Sequence, residues 1–200
     1  MDVLADRTLR QLLDDVAAET PSPGGGSSCA LACALGAGLV EMAAGFTLAR
    51  DQYAERHERM AALRTRAGEL RAAALALAEE ELHVYAGVLE VLREPADQPG
   101  RAERLDAALS DAADSPLAVA RAAAEVAEHA AEIAGTGNRH LRGDAVSGAL
   151  LAEAACAAAA RLAEINLAGR PSDPRRAETS ELPERALKAR LAALSSTRDV

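Results

Sequence analysis

Three segments of this 200-residue sequence carry residue types that could do chemistry. The first reads Pro-Ser-Pro-Gly-Gly-Gly-Ser-Ser over residues 21–28 and leads into a long apolar stretch. Three successive glycines let backbone N–H groups converge, and a helix that begins there adds partial positive charge. We therefore predict an anion or oxyanion site at Gly24, Gly25, Gly26 and Ser27, although a flexible turn capped by serine would show the same pattern. The segment is not a P-loop, because no Gly-Lys-Ser/Thr follows, and no strand precedes it as dinucleotide binding requires.

The second segment combines a carboxylate, an imidazole and a phenol on one stretch of predicted helix. Helical spacing puts Glu81 and Tyr85 on the same face, four residues apart, with His83 offset from both. All three side chains can transfer protons. A charged helix face exposed to solvent is the competing interpretation, and the spacing alone does not decide between the two.

The third segment is a polar cluster where one predicted helix ends and the next begins. Asn138, Arg139 and His140 follow Gly137, and Asp144 falls in the first turn of the next helix, where the helix dipole favours its charge. Helix capping explains the Asn and the Asp. It does not explain several basic side chains together in a protein of net charge −9, and the cluster is therefore a candidate anion site.

Metal ligation is a weaker alternative for the residues with ligand chemistry. Glu80 and His83 form a Glu-x-x-His pair like those of di-iron bundles, which need a second such pair. The other candidate segment, residues 125–129, has the wrong spacing. Cys29 and Cys33 lie one turn apart with no further ligand pattern nearby, and small core residues are the simpler interpretation. We predict no metal site.

The composition predicts an all-α protein. The sequence has 51 alanines and only 2% aromatic residues, which favours helices and argues against a sandwich, a barrel or a large sheet. The acidic charge and the shortage of aromatic side chains argue against duplex binding and base stacking, so we predict no nucleic-acid partner.

Three cysteines fit a reduced compartment, and residues 1–6 lack the basic region of a signal peptide. We therefore expect a cytoplasmic protein.

Helical patterns cover nearly the whole chain, which we interpret as a single domain of residues 1–200. Two stretches, Cys29–Ala49 and Ala145–Ala163, are nearly apolar enough to span a membrane, but each contains charge and is built on Ala and Gly. They are predicted to be central helices of a compact bundle rather than membrane spans. Their remaining apolar faces predict a homo-oligomer, at least a dimer. Pro and Gly clusters separate the predicted helices at 6–18, 28–49, 55–93 (with a kink near Gly68), 101–112, 114–135, 141–168 and 181–195.

Together these segments resemble the formiminotransferase-cyclodeaminase C-terminal family over nearly the whole chain. The most specific likeness is Thr-Pro-Ser-Pro-Gly-Gly-Gly-Ser at residues 20–27, similar to the family's Thr-Pro-x-Pro-Gly-Gly-Gly-Ser. Residues 81–85 are similar to the family's Asp-x-x-Ala-Phe/Tyr segment, with Glu81 in place of the Asp. Further matches at family spacing are Gly36-Ala37, Met42, Thr47, Tyr53, Pro95, Pro116, Gly137-Asn138, Asp144 and Ile165-Asn166-Leu167, while Leu162 stands where the family often has Asn.

The resemblance implies a small, oligomeric all-α enzyme that acts on reduced folates without a metal or a redox cofactor. The family has two activities, methenyltetrahydrofolate cyclohydrolase and formiminotetrahydrofolate cyclodeaminase, and the sequence does not choose between them. A non-catalytic helical interaction protein that keeps the fold is the alternative.

The resemblance also implies roles for individual residues. Glu81 is the expected general acid/base, and Asp144 is the second expected catalytic residue, orienting the pterin or the reacting amidine together with Asn138. The residues implied in substrate binding are Gly24, Gly25, Gly26 and Ser27 for the folate polar groups, Tyr85 for the pocket wall, and Arg50, Arg139 and His140 for the glutamate tail.

Overall fold

The computed structural model of the protein describes residues 4–196. Seven α-helices and three short 3-10 turns make up most of these residues, and no strand occurs within that range. The prediction of an all-α bundle is confirmed. The helices are α1 Leu9–Ala17, α2 Gly25–Leu48, α3 His57–Arg93, α4 Arg101–Asp111, α5 Asp114–Thr136, α6 Arg142–Asn166 and α7 Arg175–Ser195.

Helix α2 lies at the centre of the bundle. It packs between α3 and α6, while α5 lies beneath all three and α7 packs on α5 and α6. Gly25 at the start of α2 lies beside Leu162 near the end of α6, and the backbone N–H of Asn138, just before α6, donates to Thr47 Oγ1 near the end of α2. The two helices are therefore antiparallel. We call the end where α2 and α5 begin the glycine end, and the end where they finish the loop end.

Small residues allow α2 and α6 to approach closely at their crossing. A Cβ added to Gly36 would lie 3.0 Å from the carbonyl oxygen of Gly148, and a Cβ added to Gly148 would lie 3.1 Å from the carbonyl oxygen of Gly36. Both distances are shorter than ordinary contact, so a side chain at either position would push the helices apart. The Ala and Gly content therefore serves close packing, as the sequence suggested.

One face of α2 remains exposed. The helix is buried by its neighbours on three sides, but Leu35 is 65% exposed and Phe46 is 52% exposed on the fourth. By length and composition, α2 and the stretch Arg139–Asn166 are apolar enough to cross a membrane. Both instead pack against other helices of the bundle, as central helices do. An exposed apolar face of this kind is what the predicted oligomer would cover, and the oligomer itself stays a prediction.

Several predicted features of the helices differ from the structure: α1 begins at Leu9 rather than near residue 6, α2 begins at Gly25 rather than at residue 28, and two further differences concern α7 and α3. Helix α7 begins at Arg175 rather than near residue 181, and Asp173 Oδ1 accepts a hydrogen bond from the Arg175 N–H at 2.9 Å, which satisfies the first backbone donor of the helix. Pro183 lies inside this helix and removes one backbone donor. Helix α3 continues without interruption through Gly68, where a kink was expected.

Candidate active site

A cleft opens at the glycine end of the bundle. Its volume is about 310 Å³, and it is bounded by the start of α2, the middle of α3, the start of α5 and the end of α6. The chain enters α2 through a cis Ser22–Pro23 peptide. Residues from four segments that are far apart in the sequence line this cleft. The lining residues are Pro21, Ser22, Gly24, Gly25, Gly26, Glu81, Tyr85, Pro116, Leu162, Ile165 and Asn166.

Glu81 is the one carboxylate among these lining residues, and one of its oxygens has no partner. Glu81 Oε1 is buried and has no hydrogen bond to any described residue. Burial raises the pKa of Glu81, the Ser115 hydroxyl lowers that pKa, and the charge of Glu80 raises it. An unpartnered buried oxygen is unusual in a folded protein and often marks a catalytic group. A carboxyl group whose pKa is raised is a candidate for both accepting and donating a proton during a reaction.

Gly26 makes room for the Glu81 side chain. A Cβ added at Gly26 would overlap the Glu81 carboxylate, so only glycine fits there while the carboxylate keeps its position. The first N–H groups of an α-helix have no partner within the helix, and Gly25 and Gly26 are the first residues of α2. The glycine motif therefore serves two purposes: it admits the carboxylate, and it presents backbone donors beside it.

Polar groups on α5 and α6 complete the cleft. Asn166 Nδ2 donates to the carbonyl oxygen of Ala112 at 2.9 Å, which fixes the amide and leaves its oxygen for a ligand. Ser115 is 5% exposed, and its hydroxyl has no hydrogen-bond partner among the described residues. It lies close enough to Glu81 to favour the ionised carboxylate. Tyr85, one turn beyond Glu81, forms part of the wall and is partly exposed.

Ser27 has a packing role in the structure. Its hydroxyl is buried and donates to the carbonyl oxygen of Ala78 at 3.0 Å. This bond ties the first turn of α2 to α3, one turn before Glu81. Ser27 was predicted to bind substrate polar groups, but it does not line the cleft. Its position instead fixes Gly26 against the carboxylate.

Asn138 lies at the opposite end of the molecule from Glu81. Gly26 and Thr47 are separated by 21 residues of helix, which is about 30 Å. Thr47 Oγ1 accepts from the Asn138 N–H at 2.9 Å, and Asn138 Oδ1 accepts from the His140 N–H at 3.1 Å. These bonds cap the end of α2 and the turn before α6. Within one chain, Asn138 does not reach the cleft.

The other predicted polar residues are also at the loop end. The Arg139 N–H donates to the hydroxyl oxygen of Tyr53 at 3.2 Å, and this bond lowers the pKa of Tyr53. The carbonyl oxygen of Arg50 is 3.2 Å from His57 Nε2 in the same region. Asp144 lies in the first turn of α6. The structure thus divides the predicted site residues into two groups, and only Glu81, Tyr85 and the three glycines share the cleft.

Several cleft residues were not among the predicted site residues. Asn166 belongs to the Ile-Asn-Leu stretch that matches at family spacing, and Ser115, which acts on Glu81 without lining the cleft, directly precedes the matching Pro116. Because both residues are far from Glu81 along the chain, the sequence does not show that they lie near it in the structure. Pro116, Leu162 and Ile165 supply apolar walls; all three positions were compared with the family, but the sequence did not show that they line a cleft.

Metal ligation finds no support in the described part of the chain. Within residues 4–196, no group of three or more His, Cys, Asp or Glu side chains is arranged to hold a metal ion. Cys29, Cys33 and Cys156 are buried thiols, and burial raises the pKa of both Cys33 and Cys156 to about 12. They are core residues, as predicted for the first two.

Comparisons with known proteins find relatives that match most of this chain. The chain is 29% identical over 168 residues to a methenyltetrahydrofolate cyclohydrolase of Methylorubrum extorquens, covering 82% of this chain and 81% of the relative. It is 30% identical over 139 residues to the formimidoyltransferase-cyclodeaminase of Mus musculus, covering 68% of this chain but only 26% of that longer protein.

A solved structure shares the fold. It is named formiminotetrahydrofolate cyclodeaminase of Thermotoga maritima, with a TM-score of 0.88, 23% identity and 98% of each chain covered. A family model described as Formiminotransferase-cyclodeaminase matches residues 8–181. The match includes the glycine motif, Glu81, Ser115 and Asn166. This chain belongs to the formiminotransferase-cyclodeaminase family.

Proposed function

We propose that this protein acts on one-carbon derivatives of tetrahydrofolate, as a methenyltetrahydrofolate cyclohydrolase or a formiminotetrahydrofolate cyclodeaminase. The observation that carries the proposal is the unpartnered, half-buried Glu81 carboxyl in a cleft beside the glycine motif. The names of the relatives supply the substrate class. Of the two sequence relatives, the one matched over most of both chains is a cyclohydrolase, which favours hydrolysis as the first activity to test.

The two reactions make the same demands on an active site. In the cyclodeaminase reaction, N10 of 5-formiminotetrahydrofolate attacks the formimino carbon, and ammonia leaves. In the cyclohydrolase reaction, water attacks the methenyl carbon and the ring opens to 10-formyltetrahydrofolate. Each passes through a tetrahedral carbon between two nitrogens. Each requires a proton to be taken from the nucleophile and given to the leaving nitrogen, and these steps need neither a metal nor a redox cofactor.

Glu81 has the properties needed for both proton transfers. Burial raises the pKa of its carboxyl group, which makes the ionised form a stronger base and favours the neutral form that acts as the acid. The free Oε1 faces no competing protein donor among the described residues. Ionised Glu81 takes the proton from water or from N10, and the resulting neutral acid gives it to the leaving nitrogen.

The rest of the cleft positions the reacting carbon. Backbone donors at Gly25 and Gly26 stand beside Glu81, and the oxygen of Asn166 is left to accept a hydrogen bond from a pterin N–H. Pro116 and Leu162 line the cleft and offer flat, apolar contact to a ring in a protein that has few aromatic side chains. A cleft of about 310 Å³ is at the lower end of the usual range for ligand sites. It suits the pterin head and leaves the glutamate tail outside.

Turnover and binding assays test the proposal directly. Purified protein is incubated with 5,10-methenyltetrahydrofolate, and separately with 5-formiminotetrahydrofolate, while the methenyl absorbance is followed in both directions. Consumption of the first substrate identifies a cyclohydrolase, and formation of the methenyl chromophore from the second identifies a cyclodeaminase. Absence of turnover together with absence of folate binding by calorimetry would leave the non-catalytic interaction protein as the better account.

The proposed enzyme is a cytoplasmic homo-oligomer, at least a dimer. The exposed apolar face of α2 supports this assembly, because monomeric proteins rarely leave a long apolar helix face uncovered. The acidic charge supports a small-molecule substrate rather than nucleic acid. Light scattering on the purified protein measures the mass of the assembly.

A further inference from the structure

We propose that Leu162 determines substrate choice in the cleft, and that its apolar side chain favours hydrolysis of the methenyl substrate over deamination of the formimino substrate. A methenyl carbon, which carries only a hydrogen atom, fits between Leu162 and Glu81. The N–H groups of a formimino substituent find no acceptor at Leu162. The inference rests on the proposed function and names which of its two reactions this residue favours.

Leu162 and Glu81 lie on the two sides of the start of α2. Helix α2 packs between α3, which carries Glu81, and α6, which carries Leu162. A Cβ added at Gly25 would lie 3.5 Å from Leu162 Cδ1, and a Cβ added at Gly26 would overlap the Glu81 carboxylate. Both side chains also line the cleft of about 310 Å³. A reacting carbon bound beside these two glycines therefore has the carboxylate on one side and Leu162 on the other.

The cleft has a polar wall and an apolar wall. On α3 the lining side chains are the carboxyl group of Glu81 and the phenol of Tyr85, whereas α6 contributes Leu162 and Ile165. Pro116 of α5 adds further apolar surface. A Leu side chain has no atom that donates or accepts a hydrogen bond. Proton transfer therefore takes place on the α3 side, and the part of the substrate that faces Leu162 must be one that needs no hydrogen bond.

Asn166 is the polar side chain that α6 contributes to the cleft, and it lies one turn beyond Leu162. Four residues of helix separate the two positions, which is about 6 Å along the axis. Asn166 Nδ2 donates to the carbonyl oxygen of Ala112 at 2.9 Å, so the amide is held toward the start of α5. Its free oxygen serves the pterin ring in the proposed function. The wall at Leu162 itself stays apolar.

The two substrates differ in the hydrogen bonds that they need at the reacting carbon. The formimino group carries a nitrogen with N–H bonds, and this nitrogen must be held until it leaves as ammonia. Glu81 accepts from one N–H, but an N–H turned toward Leu162 loses its water and gains no partner. The methenyl carbon joins N5 to N10 and carries only a C–H, which loses nothing against an apolar side chain. An apolar pocket that meets a polar group discriminates by up to about 10²-fold.

The substrate preference of a Leu162→Asn variant tests the inference. Asn is close to Leu in shape and places an amide oxygen where the δ-methyl groups stand. The specificity constant kcat/KM is measured for 5,10-methenyl- and 5-formimino-tetrahydrofolate with the wild-type protein and with each variant. We expect the wild-type protein to be more efficient with the methenyl substrate. Leu162→Asn is expected to shift the ratio of the two constants toward the formimino substrate by about tenfold or more.

Two control variants separate polarity at the cleft from other effects of the substitution. Leu162→Met keeps the wall apolar at similar volume, and the ratio is expected to change by less than about threefold. Leu150→Asn makes the same change on α6 at a side chain that is 39% exposed, three turns and about 18 Å before Leu162. It is expected to leave both specificity constants unchanged. Circular dichroism establishes that each variant is folded, and Leu162→Thr replaces Leu162→Asn if the latter is not.

Failure of this inference and failure of the proposed function give different results. Turnover with the same substrate ratio in the wild-type protein and in the folded polar variant of Leu162 overturns the role of Leu162 and leaves the folate activity in place. A wild-type protein that is more efficient with the formimino substrate overturns that role without any variant. Absence of turnover with both substrates, together with absence of folate binding by calorimetry, rejects the proposed function, and the inference falls with it.

Discussion

The two ends of the central helix α2 differ in how far their polar groups are satisfied. At the loop end, Thr47 Oγ1 donates to the carbonyl oxygen of Ala43 at 2.8 Å and accepts from the N–H of Asn138 at 2.9 Å. At the glycine end, Glu81 Oε1 and the Ser115 hydroxyl are both buried without a partner among the described residues. A satisfied network holds helices together, whereas an unsatisfied buried group is costly unless a ligand completes it. The loop end therefore holds the helices together, and the glycine end is where we propose that the reaction takes place.

The largest effect is expected from a single methyl group at the glycine end. Gly26→Ala places a Cβ against the Glu81 carboxylate, which must then move by about 1 Å. Such a displacement costs on the order of 100-fold in kcat. Steady-state kinetics measure the loss, and Gly24→Ala is the control, since its added Cβ would lie 3.6 Å from the nearest atom outside its neighbours. Equal activity in the two variants would mean that the carboxylate position is not critical.

At the loop end, the corresponding change should affect stability and leave catalysis intact. Thr47→Val removes both hydrogen bonds of a fully buried hydroxyl and leaves the Asn138 N–H without a partner, at a cost of about 1–3 kcal/mol in the free energy of unfolding. Urea denaturation measures this cost. Ser147→Ala, which removes an exposed hydroxyl of α6, should cost less than about 0.5 kcal/mol. A kcat for Thr47→Val reduced tenfold would place chemistry at the loop end.

The buried Glu81 carboxyl should lower the free energy of unfolding when it is ionised. Because the pKa of Glu81 is higher in the folded state, the folded protein binds the proton more tightly, and stability falls as pH rises from the unfolded pKa through the folded one. Glu81→Gln removes this penalty. Its Tm should exceed that of wild type by on the order of 2 °C at pH 8, with a smaller difference at pH 4. A Tm gain that is largest at pH 4 would contradict the sign.

The smallest expected effect concerns Ser115. Its hydroxyl favours the ionised form of Glu81, so Ser115→Ala should move the acid limb of the kcat/KM profile to higher pH, while kcat at the optimum changes less than about threefold. A purely structural role for Ser115 would lower stability and leave the profile in place. A shift to lower pH would show that the hydroxyl stabilises the neutral acid instead.

The sequence predicted the parts of the active site that lie in recognisable motifs. The glycine motif, Glu81 and Tyr85 could be singled out from spacing and resemblance, and the structure places them in one cleft. What the glycines do there is visible only in three dimensions, because the clearance at Gly26 depends on a side chain 55 positions later. The roles of Ser115 and Asn166 depend on helix packing in the same way.

The sequence did not show how far apart the predicted site residues lie in the structure. Asn138 and Arg139 are polar and fall at family spacing, so they were grouped with Glu81, although the length of α2 separates them by about 30 Å. The pattern of residue types does not show which of these residues share one site. The start of α7 was missed for a local reason. Pro171 and Pro174 favoured a linker before residue 181, whereas the bond from the Arg175 N–H to Asp173 and the packing of its buried face maintain a helix from Arg175.

The most direct test of the central claim compares carboxylates at the two ends. Glu81→Gln and Asp144→Asn are each assayed for turnover of methenyl- and formimino-tetrahydrofolate, with circular dichroism to confirm that both variants are folded. We expect Glu81→Gln to lower kcat by about 10²–10⁴-fold and Asp144→Asn to lower it by less than about tenfold. Near-wild-type turnover by Glu81→Gln, with loss of activity in Asp144→Asn, would move the acid/base chemistry to the loop end and contradict this account.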